Sequence, residues 1–228
     1  MIFNGFTEKG IQFLKDLAAN NNKDWFEQHR ITYEKYLLDP LRQLTIALTP
    51  AIKSIDANID TSPQINKTIS KIFRDTRFSK DKAPLRTDLW ISFRRPNKVW
   101  GNVPEFYLYF TPEEYQYGMG YYDASPANMK KFRHYITMYP NRFKKIINHY
   151  NPQNTFALMG DEYKRHLPNQ FPKEYQPWFQ KKSLHVSCIK KIDETFFSNH
   201  LKEELENAFV FNAELYHFLT ESINSEAV

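Results

Sequence analysis

The chain has 228 residues, of which 41% are hydrophobic and 25% charged, and it carries a formal net charge of +5. This composition excludes a disordered chain, and the length allows a core that needs no disulfide or structural metal. A single cysteine and an N-terminus without a charged flank or apolar run predict a cytoplasmic protein. No apolar run approaches the ~20 residues of a membrane helix.

The N-terminal third has the apolar spacing of helices. Thr7 is the expected N-cap of the first helix, and the asparagine run at residues 20–22 is expected to end it. Asp24 followed by Glu27 resembles a capping box that opens a second helix. Asp39-Pro40 is typical of a further helix start.

The middle third changes to short segments that are rich in aromatic and β-branched residues. They predict strands at residues 89–94, 105–111 and 115–122. Residues 69–74 fit a helix or a strand, and we interpret them as a strand because they lead into a charged segment as an edge strand would. Residues 97–104 are expected to form a hairpin connection.

Helices are expected again at Ser125-Pro126 and at Pro140, and two more helices close the chain. Between them, residues 183–189 alternate as a strand. The alternation places Cys188 on the apolar face of that strand, which favours a small core residue over a nucleophile.

This order of elements predicts a single α+β domain over residues 1–228. A central, mainly antiparallel sheet is expected from about residue 69 to 122, joined by a strand near Val186. The N- and C-terminal helices are expected to cover it.

The positive charge is unevenly distributed. Residues 66–95 contain nine Lys or Arg and three Asp, a net charge of +6, so the rest of the chain carries −1. A second stretch, residues 130–145, contains six basic residues and no acidic one. Such asymmetry indicates an anionic partner.

Several enzyme classes lack their signature in this chain. It has no Gly-x-x-x-x-Gly-Lys-Ser/Thr phosphate loop, no Gly-x-Gly-x-x-Gly dinucleotide turn and no Gly-x-Ser-x-Gly elbow. Gly118-Met119-Gly120 is a fragment of such a pattern and lies in an expected strand. The seven histidines show no zinc-ligand spacing with cysteine, so the sequence predicts no metal site and identifies no cofactor.

The densest charged stretch, residues 74–82, predicts binding of an anionic, phosphate-bearing small ligand. Its guanidinium groups match phosphate oxygens, and its lysines add mobile charges. Each predicted ligand-binding residue has a cationic, a hydroxyl-bearing or an aromatic side chain. These residues are Arg74, Arg77, Ser79, Lys82, Trp25 and Arg133.

Arg74, Arg77 and Lys82 are expected to converge on the anionic group. Asp75 and Asp81 are the predicted catalytic residues, which would orient those cations or act as a base. If the protein is an enzyme, phosphoryl or phosphoester transfer is the reaction class that these groups suit.

Trp25 and Arg133 are weaker candidates for the same cleft. Trp25 stands at a helix start beside His29 and Arg30, where it suits either the wall of a cleft or a core anchor. Arg133 suits either the cleft or a solvated helix face.

Two other function classes stay open. The basic stretches could bind nucleic acid, with Phe78, Trp90 or Trp100 stacking on bases. Alternation of the cations with aspartate makes this less favoured than a small ligand. In the other class, the segment is a non-enzymatic docking surface or a structural salt-bridge network.

The charged segment also resembles a known family. Arg74-Asp75-x-Arg77-Phe78-Ser79-x-Asp81-Lys82-x-Pro84 is similar to the signature of the domain of unknown function 2461 family. The other similar blocks are Phe13-Leu14, Asn20-Asn21-x-x-x-Trp25-Phe26, Tyr33, Pro40, residues 118–121, Arg133, and Leu158-x-Gly160 through Pro168. Leu85-Arg86 and Asp88 depart from the Tyr-Lys and nearby His of the family pattern. The resemblance implies one domain with its site at residues 74–82 and implies no biochemical role.

Overall fold

The structure is a computed structural model that describes residues 2–97, 101–165, 167 and 171–225. The described chain divides into two compact units. The first contains the residues up to Phe93, Tyr107–Tyr117 and Ile189–Ala208. The second contains Arg94–Phe106, Gly118–Cys188 and the residues from Phe209 onward. The single domain over residues 1–228 stays a prediction.

Five strands form one antiparallel sheet in the order β1-β2-β3-β5-β4. They are β1 (Leu89–Arg94), β2 (Glu105–Phe110), β3 (Glu114–Gly120), β4 (Ala157–Met159) and β5 (His185–Lys191). Helices flank the sheet, which confirms the predicted α+β fold. The sequence did not indicate β4, because three residues are too few for an alternating pattern; its Leu158 lies opposite Val186 of β5.

The first unit opens with α1 (Glu8–Ala19) and α2 (Lys23–Tyr33). The Thr7 hydroxyl accepts a hydrogen bond from the backbone of Gly10 at 3.2 Å, which confirms the predicted cap of α1. Asn22, rather than the predicted Asp24, caps α2 by accepting from the backbone of Trp25.

The predicted helix start at Asp39-Pro40 agrees with the structure, because α3 begins at Asp39 with Pro40 in its first turn, but no break in the helix precedes it. The chain passes from α2 through a π-helical turn (Glu34–Leu38) directly into α3 (Asp39–Ile55), and Leu38 keeps helical backbone angles of −67° and −45°. Pro40 donates no backbone hydrogen bond, and the change of hydrogen-bond register in the π-helical turn lies directly before it.

The predicted strand at residues 69–74 is not a regular strand. Ile69 and Phe73 form isolated antiparallel bridges with Ile91 and Leu85. The backbone N–H groups of Ser70 and Ser92 extend this pairing towards β1, at 3.0 Å and 2.8 Å from their acceptors. The segment therefore runs extended beside residues 84–92 without a continuous ladder.

The second unit is mainly helical. Its helical elements are α4 (Pro126–Met138), α5 (Pro140–Tyr150), a 3-10 turn (Lys173–Tyr175), α6 (Gln176–Phe179) and α8 (Ala213–Asn224). The helix between the last two, α7 (His200–Phe211), belongs mostly to the first unit. Ser125 caps α4 as predicted, and Phe132, Phe143 and Phe218 meet with ring centroids 5.3–6.1 Å apart. Cys188 is buried, as its strand position predicted.

None of the helices among the described residues has both the length and the apolar character that crossing a membrane requires.

Candidate functional site

Residues 75–83 form a loop, here called the charged loop, between two paired backbone segments. Its base is closed by the Arg74 N–H, which donates to the Pro84 carbonyl at 2.8 Å, and by the Arg86 N–H, which donates to the Ile72 carbonyl at 2.8 Å. The residues between these pairs carry the signature cations and acids of the sequence. The fold therefore presents them together on one connection of the first unit.

Within the charged loop, two cations have partners of their own. Arg77 makes a bidentate pair with Asp75, with Nε 3.0 Å and Nη2 2.7 Å from the carboxylate oxygens. Lys82 Nζ donates to the Thr76 carbonyl at 2.9 Å. The side chains of Arg77 and Asp75 are 77% and 47% exposed, so water screens this pair.

Arg74 is held at the base of the loop. Its guanidinium donates to the Asp81 carboxylate and, at 3.3 Å, to the Ala83 carbonyl. Asp81 also accepts from the Ala83 N–H at 2.9 Å, and the Ser79 hydroxyl is 3.5 Å from Arg74 Nη2. The Arg74 side chain is 23% exposed, whereas that of Asp81 is 65% exposed.

A cleft of about 420 Å³ opens beside Arg74. We call it the arginine cleft. The residues that line it come from the end of α1, from the loop before α2 and from the chain on both sides of Pro84. They are Ala18, Asn21, Arg74, Asp81, Ala83, Leu85, Arg86, Thr87 and Asp88. All of them belong to the first unit.

Arg86 lines the cleft and leaves part of its hydrogen-bonding capacity unused. Its guanidinium lies over the Trp90 ring, 4.8 Å from the centroid. Its Nε is buried and has no acceptor among the described residues, and an Asp88 oxygen lies 3.9 Å from its Nη1, beyond hydrogen-bond length. Buried polar groups are normally paired. The cleft lining therefore includes a cation whose Nε–H has no described acceptor.

Asn21 fixes this part of the chain to the helices. Its side-chain amide donates to the Leu85 carbonyl at 2.9 Å and accepts from the Leu85 N–H at 3.0 Å. The amide thus satisfies both backbone groups of a residue that is only 1% exposed. Asn21 positions Leu85 and, through it, the neighbouring Arg86.

The two predicted catalytic carboxylates both have lowered pKa values. The Arg77 guanidinium and then its backbone N–H lower the pKa of Asp75 to about 2. The Ala83 N–H and then the Arg74 guanidinium lower the pKa of Asp81. A general base works best when its pKa is near the working pH. Their environment therefore favours an orienting role for both carboxylates over proton abstraction.

The structure brings together only part of the predicted site. Arg74 and Asp81 line the arginine cleft, whereas the described lining does not include Arg77, Lys82 or Asp75, which stay on the charged loop. Ser79 touches the cleft only through its long contact with Arg74. The predicted convergence of three cations stays a prediction.

Trp25 and Arg133 are not among the described lining residues of the arginine cleft. Trp25 stacks on His29 in α2, with ring centroids 4.0 Å apart, and is not among the lining residues. Arg133 belongs to the second unit, where it donates to the Lys181 carbonyl at 3.2 Å and lies over the Tyr163 ring. Their ligand-binding roles stay predictions. Trp100, a predicted stacking residue, lies outside the described residues.

Sequence reasoning did not select Arg86 and Asn21 as site residues. In the sequence, Arg86 is one more cation of the charged stretch. No sequence pattern indicates that its guanidinium lacks acceptors. Asn21 belongs to one of the blocks that resemble the family, and this resemblance is the sequence feature that could have indicated its role. Its partner Leu85 lies 64 residues further along the chain.

Asp81 and Asp88 are the carboxylates of the cleft lining. Among residues 2–97, 101–165, 167 and 171–225, no group of three or more His, Cys, Asp or Glu could hold a metal ion.

A comparison with protein-family models decides the family. The model described as conserved hypothetical protein (DUF2461) matches residues 9–218. The chain belongs to this family. The DUF2461 match contains the charged loop, the arginine cleft and Arg133, and it confirms the resemblance that the sequence motifs indicated. A search of curated proteins gives no match.

Proposed function

We propose that this DUF2461 protein binds the anionic group of a phosphate-bearing small ligand in the arginine cleft. The observation that carries the proposal is Arg86, whose guanidinium lines the cleft with a buried Nε that no described residue accepts from. Arg74 lies in the same lining and offers the second cation.

Charge and geometry favour a phosphate as the bound group. A guanidinium presents a planar fork of donors that matches two phosphate oxygens, and hydrogen bonds to charged groups contribute about 1.5–3 kcal/mol each. Arg74 already shares its donors with Asp81 and Ala83, so its geometry is fixed before a ligand arrives. A preorganised donor loses less conformational entropy on binding.

The carboxylates of the cleft affect how an anion can bind there. Asp81 and Asp88 compensate the two arginines, so a free anion must displace or share these contacts. Mg²⁺ is commonly bound through one or two carboxylates together with phosphate oxygens. We therefore propose that binding is tighter with Mg²⁺. Phosphoryl or phosphoester transfer is the reaction class that such a site suits, because it depends on positioning and charge stabilisation.

A thermal-shift screen against nucleotides, sugar phosphates and other phosphorylated metabolites, with and without Mg²⁺, tests the proposal. A ligand at 100 times its dissociation constant adds about 2.7 kcal/mol of apparent stability, which corresponds to roughly 5–10 °C in a chain of this size. Arg86→Gln and Arg74→Gln are each expected to weaken binding about 10- to 100-fold.

Arg42→Gln is the matched control for these variants. Arg42 is also an arginine of the first unit that pairs with an aspartate, Asp39, at 3.1 Å, and it lies outside the described lining. Arg77→Gln tests whether the charged loop contributes to ligand binding. We expect the affinity to fall about threefold or less, because the Arg77 guanidinium is already paired with Asp75. Unchanged binding in both Arg86→Gln and Arg74→Gln would place the site elsewhere.

If the charged residues form a structural salt-bridge network, removing either partner should lower the melting temperature strongly. The binding proposal predicts only a small change. Because Asp81 is 65% exposed, we expect Arg74→Ala and Asp81→Ala each to change the melting temperature by no more than about 2 °C. Thermal unfolding of the two unliganded variants measures this. A similar large decrease in both variants would favour a structural role for the network.

A further inference from the structure

Phe78 stands out among the aromatic residues of this chain. It is 94% exposed, and it is the only phenylalanine in the described part of the chain that belongs to the exposed class. Burying a phenylalanine side chain stabilises a protein by about 1.5–3 kcal/mol. A ring left at the surface of a basic loop is therefore available to a partner.

Arg77 is the described residue whose side chain contacts this ring. Its guanidinium carbon lies 5.8 Å from the Phe78 centroid, and the same guanidinium donates two hydrogen bonds to Asp75. An arginine over a ring and an aromatic beside cations are the elements with which proteins stack bases and neutralise phosphates.

The ring is tethered close to the arginine cleft. Phe78 is three residues from Asp81 and four from Arg74, and three residues span at most about 11 Å. The loop is drawn together further by the Ser79 N–H, which donates to the Thr76 carbonyl at 3.3 Å, and by the Lys82–Thr76 hydrogen bond. One small molecule with an anionic end and a flat end can therefore reach both features.

We infer that the ligand is a nucleoside phosphate, whose phosphate binds in the arginine cleft and whose base stacks on Phe78. This inference rests on the proposed function. A sugar phosphate lacks an aromatic face and covers the ring less completely than a base does. A membrane surface would need several apolar side chains beside the basic ones, and Phe78 is the exposed large hydrophobic residue of the charged loop.

Calorimetric titration with two matched compounds tests the inference. Adenosine 5′-monophosphate and ribose 5-phosphate share the sugar and the phosphate and differ in the base. Base–aromatic stacking predicts that the nucleotide binds about 5- to 100-fold more tightly. Phe78→Ala should abolish this preference and leave the affinity for ribose 5-phosphate within about twofold, and Phe78→Trp should restore it. Arg86→Gln should weaken both compounds by the same factor.

The outcomes separate the two proposals. If both compounds bind and Phe78→Ala leaves their ratio unchanged, the nucleoside inference is wrong while the proposed function stands. If neither compound binds, the nucleoside inference is wrong, and the thermal-shift screen with Arg86→Gln and Arg74→Gln decides the proposed function. A short oligothymidylate distinguishes the source of the nucleoside phosphate: tighter binding that weakens steeply with salt and depends on Phe78 identifies a nucleic acid strand rather than a free nucleotide.

Discussion

Gly118→Ala is expected to lower the free energy of unfolding by about 3 kcal/mol or more, because β3 and β5 leave no room for a side chain there. A Cβ atom on Gly118 would lie 1.9 Å from the Val186 carbonyl oxygen and 3.1 Å from the Ser187 Cα atom. These are backbone atoms of the adjacent strand, so relief requires the strands to separate. Overpacking of ordinary core sites already costs 1–3 kcal/mol.

Urea unfolding followed by circular dichroism measures this effect. Glu114→Ala is the control, because it also places an alanine in β3 but at an exposed residue where no backbone atom is displaced, and it should stay within about 0.5 kcal/mol of the natural protein. A Gly118→Ala protein within about 1 kcal/mol of the natural one would show that the strands are not packed as described.

Asn21→Ala is expected to lower the free energy of unfolding by about 2–4 kcal/mol and to weaken ligand binding. The substitution leaves the N–H and the carbonyl of Leu85 without their partner, and an unsatisfied buried backbone group costs about 1–3 kcal/mol. Leu85 adjoins Arg86, so the guanidinium loses its fixed position in the cleft. Urea unfolding measures the loss of stability, hydrogen exchange of the Leu85 amide reports the loss of its partner, and the thermal-shift screen measures the weaker binding.

Two variants sharpen this prediction. Asn21→Asp keeps an acceptor for the Leu85 N–H and loses only the donor to its carbonyl, so an intermediate effect is expected. Asn20→Ala is the control, because the Asn20 amide donates to the Asp16 carbonyl on an exposed helix end. Equal stability of Asn21→Ala and Asn20→Ala would contradict the anchoring role of Asn21.

The sequence predicted the elements that depend on neighbouring residues. Thr7 and Ser125 cap helices as expected, since a cap needs only the side chain and the next turn of backbone. Asn22 displaced Asp24 as the cap of α2 because several residues in that turn can cap a helix, and only the backbone angles decide between them.

Features that depend on distant residues could not be predicted. The hydrogen bonds between Asn21 and Leu85 join the start of the chain to the charged segment. Nothing in either residue type predicts that the two residues pair. Arg86 and Arg77 look alike in the sequence. Their difference is that Asp75 satisfies Arg77, whereas Arg86 has Trp90 beneath it and no described acceptor for its Nε.

The most direct test of the arginine cleft is the proton–nitrogen spectrum of the arginine Nε–Hε groups during titration with inorganic phosphate. Arg86→Lys and Arg74→Lys assign the two signals, and sodium chloride at equal ionic strength is the control. We expect the Arg86 and Arg74 signals to shift with a common dissociation constant, because phosphate bound at the terminal nitrogens changes the charge around each Nε–H, while Arg42 stays unchanged. An Arg86 signal that phosphate moves no more than chloride does would contradict the site.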